Sequence, residues 1–314
     1  MSPSALPAPR PVAGVVLIVL MAACFGTMDT TVKVLGATLP VLVMLFARYL
    51  FQAVAMALWI LRGRGRAGFA TAHPRFQVLR GLLLLTTSAV SFWSVQLMPV
   101  AEFTAITMLT PVIVVLLSAL ALRDPVSPLR WTLVAGGFAG ALIVIRPGSA
   151  LFGAVALLPL AGAIAYACFQ LLTSRMSALD DPTTTHFYTG AVGSALLGVL
   201  LLVSPTDLWP SLRLLSPGQF ALLTLVGALG TAGHLMLLFA LRFGRPATLM
   251  PFMYTQLAFA ALAGYVAFGQ LPDAAGFVGM AIIGACGAAS VWLNLRAAAE
   301  RARAEALAAD SVSE

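Results

Sequence analysis

A chain of 314 residues that is 61% hydrophobic and only 9% charged, with a mean hydropathy of +0.99, cannot persist as a folded domain in water; lipid is the solvent for most of it. The net charge of +7 is spread over short connections instead of one polar domain, which excludes a nucleic-acid footprint. Cys24, Cys168 and Cys286 each sit in an apolar stretch without metal-ligand spacing; they read as small buried residues, and no cofactor or metal is expected.

The first segment, residues 1–11, is too Pro-rich for a signal-peptide n-region, and the apolar run after it passes h-region length without an A-x-A site. The first span is therefore expected to stay attached. A helix needs about 20 apolar residues to cross roughly 30 Å of hydrocarbon. On that ruler ten spans fall at 12–35, 39–61, 77–98, 101–122, 129–146, 152–174, 184–204, 218–241, 246–268 and 273–294. Residues 295–314 read as a charged, Ala-rich tail forming a frayed surface helix.

Polar side chains inside these spans are functional candidates by default, because a charge in hydrocarbon is costly unless paired or hydrated. In span one, Asp29 and Lys33 are four apart and share a helical face. Asp29 is either a proton or cation site or part of an ion-pair clamp with Lys33 or Arg48. Arg48 lies about nine residues into span two, roughly 13 Å deep and too far to snorkel. It either neutralises a substrate carboxylate or phosphate or pairs with Asp29. In span three, Trp93 either stacks on a substrate ring or joins the aromatic belt, and Gln96 lies one turn on.

Glu102 opens span four, where the helix dipole favours an acid even without a further role. Pro111 interrupts the same span and leaves a carbonyl without its donor, as a moving kink or a static bend. Span six carries Tyr166 and Gln170. His234 in span eight titrates near neutral pH in its ordinary state, so it either carries a coupling proton, bonds substrate or is satisfied by a neighbouring carbonyl. His186 in span seven is a weaker candidate of the same kind. In span nine, Tyr254 and Gln256 suit a neutral polar ligand or an interhelical hydrogen bond equally well.

Fourteen of the eighteen basic residues fall on one side of this layout: Arg10, the group from Arg62 to Arg80, Arg123, Arg130, Arg175, Arg242, Arg245 and the three of the tail. Lys33, Arg146 and Arg213 fall on the other. The positive-inside rule then puts both termini in the cytoplasm of a bacterial-type inner membrane. The pattern also repeats. Lys33 precedes Pro40 by seven residues as Arg175 precedes Pro182, and ALRDPVSPLRW aligns with AFGQLPDAAGF, placing Asp124 over Gln270. Five spans per half turn a direct sequence repeat into an inverted repeat in the membrane.

Residues 98–148, with Thr110-Pro111, the acid before Pro125, the Gly-rich fifth span and Arg146-Pro147-Gly148, resemble helices four and five of the EamA-type proteins of the drug/metabolite transporter superfamily. The stretch 251–273, with Tyr254-Thr255-Gln256, resembles the ninth helix of that family. The family commonly has Glu where Asp124 and Gln270 stand here, which weakens any scheme built on symmetric carboxylates. The resemblance implies an all-α integral membrane fold of ten transmembrane helices in two inverted five-helix EamA repeats, 12–148 and 152–294. It also implies a cavity lined by helices one, three, four, six, eight and nine, and substrates such as riboflavin, S-adenosylmethionine or amino acids.

The expectation is thus a secondary transporter of a small organic molecule, embedded in the lipid bilayer. No Walker-type phosphate loop is present to power it. The alternatives are a membrane-embedded enzyme, for which the His, Cys and acidic residues are too scattered, and a passive channel, which needs no matched halves. The glycine-rich stretches GGFAG of span five and GMAIIGACG of span ten pack either against a second copy, as a homodimer, or within one chain.

Overall fold

The computed structural model describes residues 11–110, 112–114, 117, 128–145, 153–176, 180–204, 213–243 and 250–313. Within them the chain is helical and no strand occurs: α1 Pro11–Gly36, α2 Val41–Arg64, α3 Pro74–Leu97, α4 Val100–Thr107, α5 Pro128–Ile145, α6 Leu157–Met176, α7 Pro182–Val203, α8 Pro217–Phe243, α9 Thr255–Phe268 and α10 Ala274–Ser313. Six helices are long and apolar enough to cross a membrane, and the shorter apolar helices lie among them. The protein is a multi-pass membrane protein.

Proline punctuates the helix starts. Pro74, Pro128, Pro182 and Pro217 each occupy the first helical position, where a missing N–H costs nothing, and Pro40 and Pro99 sit just before α2 and α4. Asp181 caps α7 by accepting from the Thr183 N–H at 2.9 Å. Gly269 ends α9 in the left-handed conformation, φ +66°, its N–H bonding back to the Tyr265 carbonyl. The 40 residues of α10 would run about 60 Å, so the helix continues beyond its apolar half into the tail as one rod.

The helices pack in pairs across the sequence midpoint. The main contacts are α1 with α8 and α9, α2 with α7 and α8, α3 with α6 and α7, α4 with α9, and α5 with α10. The glycine-rich stretches meet within the chain. A methyl on Gly140 would lie 2.9 Å from the Gly279 carbonyl, and one on Gly279 would lie 2.7 Å from the Gly140 carbonyl, so only hydrogen at both positions lets α5 and α10 approach this closely. Large apolar side chains such as Val54, Leu142, Leu202 and Val266 remain outside, as a lipid-facing surface requires.

Candidate functional site

A cavity of about 100 Å³ lies at the centre of the bundle. From α1 it takes Phe25, Met28 and Asp29, and from α2 the single side chain Arg48. α3 gives Thr87, Ser88, Ser91 and Phe92; α4 and the turn after it give Phe103, Thr107 and Met108. From the other half come Tyr166 of α6, His234 of α8, Met253 of the 3-10 turn Met250–Tyr254 and Gln256 of α9. The family resemblance leads one to expect helices one, three, four, six, eight and nine at the cavity; α2 joins them only through Arg48. The volume is below the roughly 300–1,000 Å³ of pockets that enclose a drug-sized ligand.

Arg48 is the dominant charge. It is 2% exposed, and its Nη1 donates to Ser88 Oγ at 2.9 Å, the same oxygen that lies 2.9 Å from the Tyr49 hydroxyl. Its guanidinium carbon stands 4.9 Å from the Tyr49 ring centre and 5.9 Å from that of Phe92. Among the described residues no carboxylate lies within ion-pair distance of it; Asp29 shares the cavity without a direct bridge. Neither clamp considered for Asp29 is formed. Lys33 instead donates to the Met98 carbonyl at 2.6 Å and lies 5.3 Å from the Phe268 ring centre.

His234 is fixed by geometry. A carbonyl can only accept, so the 3.0 Å contact with Gly230 O makes Nδ1 the donor, and Nε2 has no partner among the described residues. Its ring lies edge-on to Phe25 at 4.9 Å and stacks with His186 at 6.0 Å. His186 is held by Gln52, whose Nε2 donates to the His186 carbonyl at 2.9 Å. Tyr166 stacks on Phe169, and Gln170 lies one turn further along α6, outside the cavity wall.

The other candidates are placed elsewhere. Trp93 is 60% exposed on the outer face of α3, while its neighbour Phe92, one residue and 100° away, is 1% exposed. Gln96 donates to the Val32 carbonyl at 2.8 Å, tying the ends of α3 and α1. Glu102 occupies the first turn of α4 at that same end, and its charge acts on Lys33. Tyr254 packs its ring against Gly287 of α10, with a buried hydroxyl that has no partner among the described residues. Pro111, Asp124 and Arg146 lie outside the described residues. Residue 111 has no N–H for the Thr107 carbonyl, and the Thr110 hydroxyl donates to that oxygen at 2.7 Å.

Sequence reasoning counted Arg80 only as a topology charge of the cytoplasmic side; it lies within α3 and is 2% exposed. Its Nε donates to Thr173 Oγ1 at 2.9 Å and its Nη1 to the Thr185 carbonyl at 3.2 Å and to Thr189 Oγ1, with the Phe169 ring 4.7 Å away. Ser88 and Thr87 were also missed. The available signal was the stripe Gln77, Arg80, Leu84, Thr87, Ser88, Ser91, which repeats at helical spacing along one face of α3.

The comparisons agree with this architecture. The EamA-like transporter family matches twice, over residues 12–146 and 153–292. Similar proteins include an S-adenosylmethionine uptake transporter of Rickettsia felis, 26% identical over 81% of this chain and 84% of its own. A riboflavin transporter of Rhizobium johnstonii is 27% identical over 87% and 89%, and a pseudopaline exporter of Pseudomonas aeruginosa is 26% identical over 86% and 93%. A solved structure described as "Crystal structure of protein" shares the fold, with a TM-score of 0.60 and 20% identity over 91% of this chain and 98% of that one. With two matches that together span nearly the whole chain, the protein belongs to the EamA-like transporter family.

Proposed function

We propose that the protein is a secondary-active carrier that moves a small organic metabolite across the bacterial inner membrane by alternating access between two inverted five-helix halves. The observation that carries this reading is the central cavity, whose walls come from both halves and in which Asp29, Arg48, Tyr166, His234 and Gln256 gather. The helix pairing supports the inversion. Exchanging α1–α5 with α6–α10 in order maps α1–α8 onto α3–α6, α1–α9 onto α4–α6 and α2–α8 onto α3–α7, while α2–α7, α4–α9 and α5–α10 map onto themselves. That is the pattern expected of halves related by a two-fold axis, and an odd number of crossings per half would put this axis in the membrane plane, which lets inward-open and outward-open states have similar energies.

In this scheme Arg48, Tyr166, His234 and Gln256 contact the solute and Asp29 is the coupling site. Lys33, Gln96 and Glu102 close the outer end. Relatives named for S-adenosylmethionine uptake and riboflavin transport make those compounds, with amino acids, the first candidates. The test compares cells producing this chain with cells carrying an empty vector, each given labelled S-adenosylmethionine, riboflavin and amino acids. Saturable redistribution of a compound between medium and cells is expected. Redistribution that rises linearly without saturation would make the protein a channel and overturn the carrier.

A further inference from the structure

We infer that the solute is recognised through a carboxylate and that Arg48, positioned by Ser88 and Tyr49, is the residue that reads it; the inference rests on the transport reading above. Every hydrogen-bond and ring partner that Arg48 has among the described residues fixes its place without neutralising it. Ser88 Oγ and the ring faces of Tyr49 and Phe92 carry no net negative charge. Nε makes no hydrogen bond, and Gly230 supplies the space beside it, since a methyl there would come within 2.8 Å of that atom. A guanidinium 2% exposed in the centre of an apolar bundle is costly to keep unless an anion meets it.

Asp29 faces the same cavity and feels the Arg48 charge, but it makes no direct ion pair with it, so no carboxylate among the described residues occupies the guanidinium fork. The other deeply buried cation, Arg80, makes three hydrogen bonds, to Thr173, Thr185 and Thr189, whereas Arg48 makes one among the described residues. The planar fork of a guanidinium fits a carboxylate with two parallel N–H donors. An ionised Asp29 in the same cavity repels the double charge of a phosphate monoester more than the single charge of a carboxylate. A cavity of about 100 Å³ admits such a compact head, with Phe25, Phe92, Phe103 and Met108 left to cover an apolar or ring-bearing body. Riboflavin has no carboxylate and falls outside this class.

The experiment profiles small molecules in cells and medium for cells producing the wild type, Arg48→Met or no chain, with the changed compounds sorted by charge group. The compounds that the wild type redistributes are expected to carry a carboxylate, and Arg48→Met is expected to reduce their redistribution at least tenfold. Riboflavin, other compounds without a carboxylate, or phosphate monoesters as the redistributed class would overturn the inference and leave the transport reading standing. If the wild type redistributes nothing, both fail. Where Arg48→Met does not reach the membrane, wild-type vesicles answer the same question by competition between the redistributed acid and its methyl ester. The ester is expected to compete at least tenfold more weakly, and equal competition overturns the inference.

Discussion

Gly230 shows how closely Arg48 is fitted. A methyl at that position would stand 2.8 Å from Arg48 Nε and 3.2 Å from Met28 Sδ, so Gly230→Ala is expected to push the guanidinium off Ser88. The expected result is a half-saturating concentration raised about tenfold, roughly 1.4 kcal/mol of binding, with the membrane level of the protein little changed. Concentration-dependent uptake checks this; an unchanged curve would mean that the guanidinium can shift without consequence. Tyr254 makes the opposite case. Its hydroxyl is buried without a partner among the described residues, so removing it relieves a desolvation cost, and Tyr254→Phe is expected to hold or raise the thermal midpoint while transport stays within about twofold. A larger transport loss would place that hydroxyl on the solute. These residues also show what was legible beforehand. Asp29, Arg48, Tyr166, His234 and Gln256 stood out because polar groups are scarce in apolar spans, and all five reach the cavity. Trp93 was equally conspicuous but faces outward, because no count along the chain gives the rotation of α3 that separates it from Phe92. Ser88 passed unnoticed because a hydroxyl costs little in a helix and carries no signal until Arg48 is beside it.

At the scale of elements, the end of the bundle around α3 and α7 is cross-linked far more heavily than the end around Lys33. Asp180 accepts from Thr71 Oγ1 at 2.7 Å and Gln77 Nε2 at 2.9 Å, and Arg64 pairs with Asp181 at 2.8 Å. The Thr184 hydroxyl donates to the Gly68 carbonyl at 2.7 Å, and the Tyr188 hydroxyl to that of Phe69 at 2.8 Å. Arg64 and Asp181 are both well exposed, so that pair contributes at most about 1 kcal/mol. The buried Arg80 fan is the stronger tie, because losing it strands acceptors on α6 and α7 at once. Arg80→Met is therefore expected to loosen this end by about 1–3 kcal/mol, or roughly ten- to a hundredfold in the open population. Hydrogen–deuterium exchange checks it: amides of 71–80 and 180–189 should exchange correspondingly faster, with those near Lys33 and Gln96 unaffected. Uniform acceleration throughout the chain would mean general destabilisation instead. Sequence reading could not reach this tie, since Arg80 stands at the boundary where hydropathy cannot tell a loop arginine from one drawn into a helix. Its partners, Thr173, Thr185 and Thr189, are ordinary span residues until α3, α6 and α7 meet.

For the whole molecule, the burial of Arg80 bears on orientation. Taken into α3, it no longer counts as a loop charge, which leaves thirteen basic residues on the proposed cytoplasmic side against Lys33, Arg146 and Arg213. The bias survives because the other arginines around it, Arg62, Arg64, Arg66 and Arg75, sit at the close of α2, in the connection or in the first turn of α3. An even number of crossings then follows from having both termini on one side, and two inverted halves follow only if each half crosses an odd number of times. Reporter fusions separate these possibilities. A reporter fluorescent only in the cytoplasm is expected to be active at both the N- and the C-terminus, and a reporter active only in the periplasm is expected to work when fused after Thr38, in the short connection between α1 and α2. Termini on opposite sides would require an odd total and would break the pairing of α1 with α6 and α3 with α8 on which the inversion depends. Alternating access would then lose its symmetry argument, although the cavity and Arg48 within it would stay where they are.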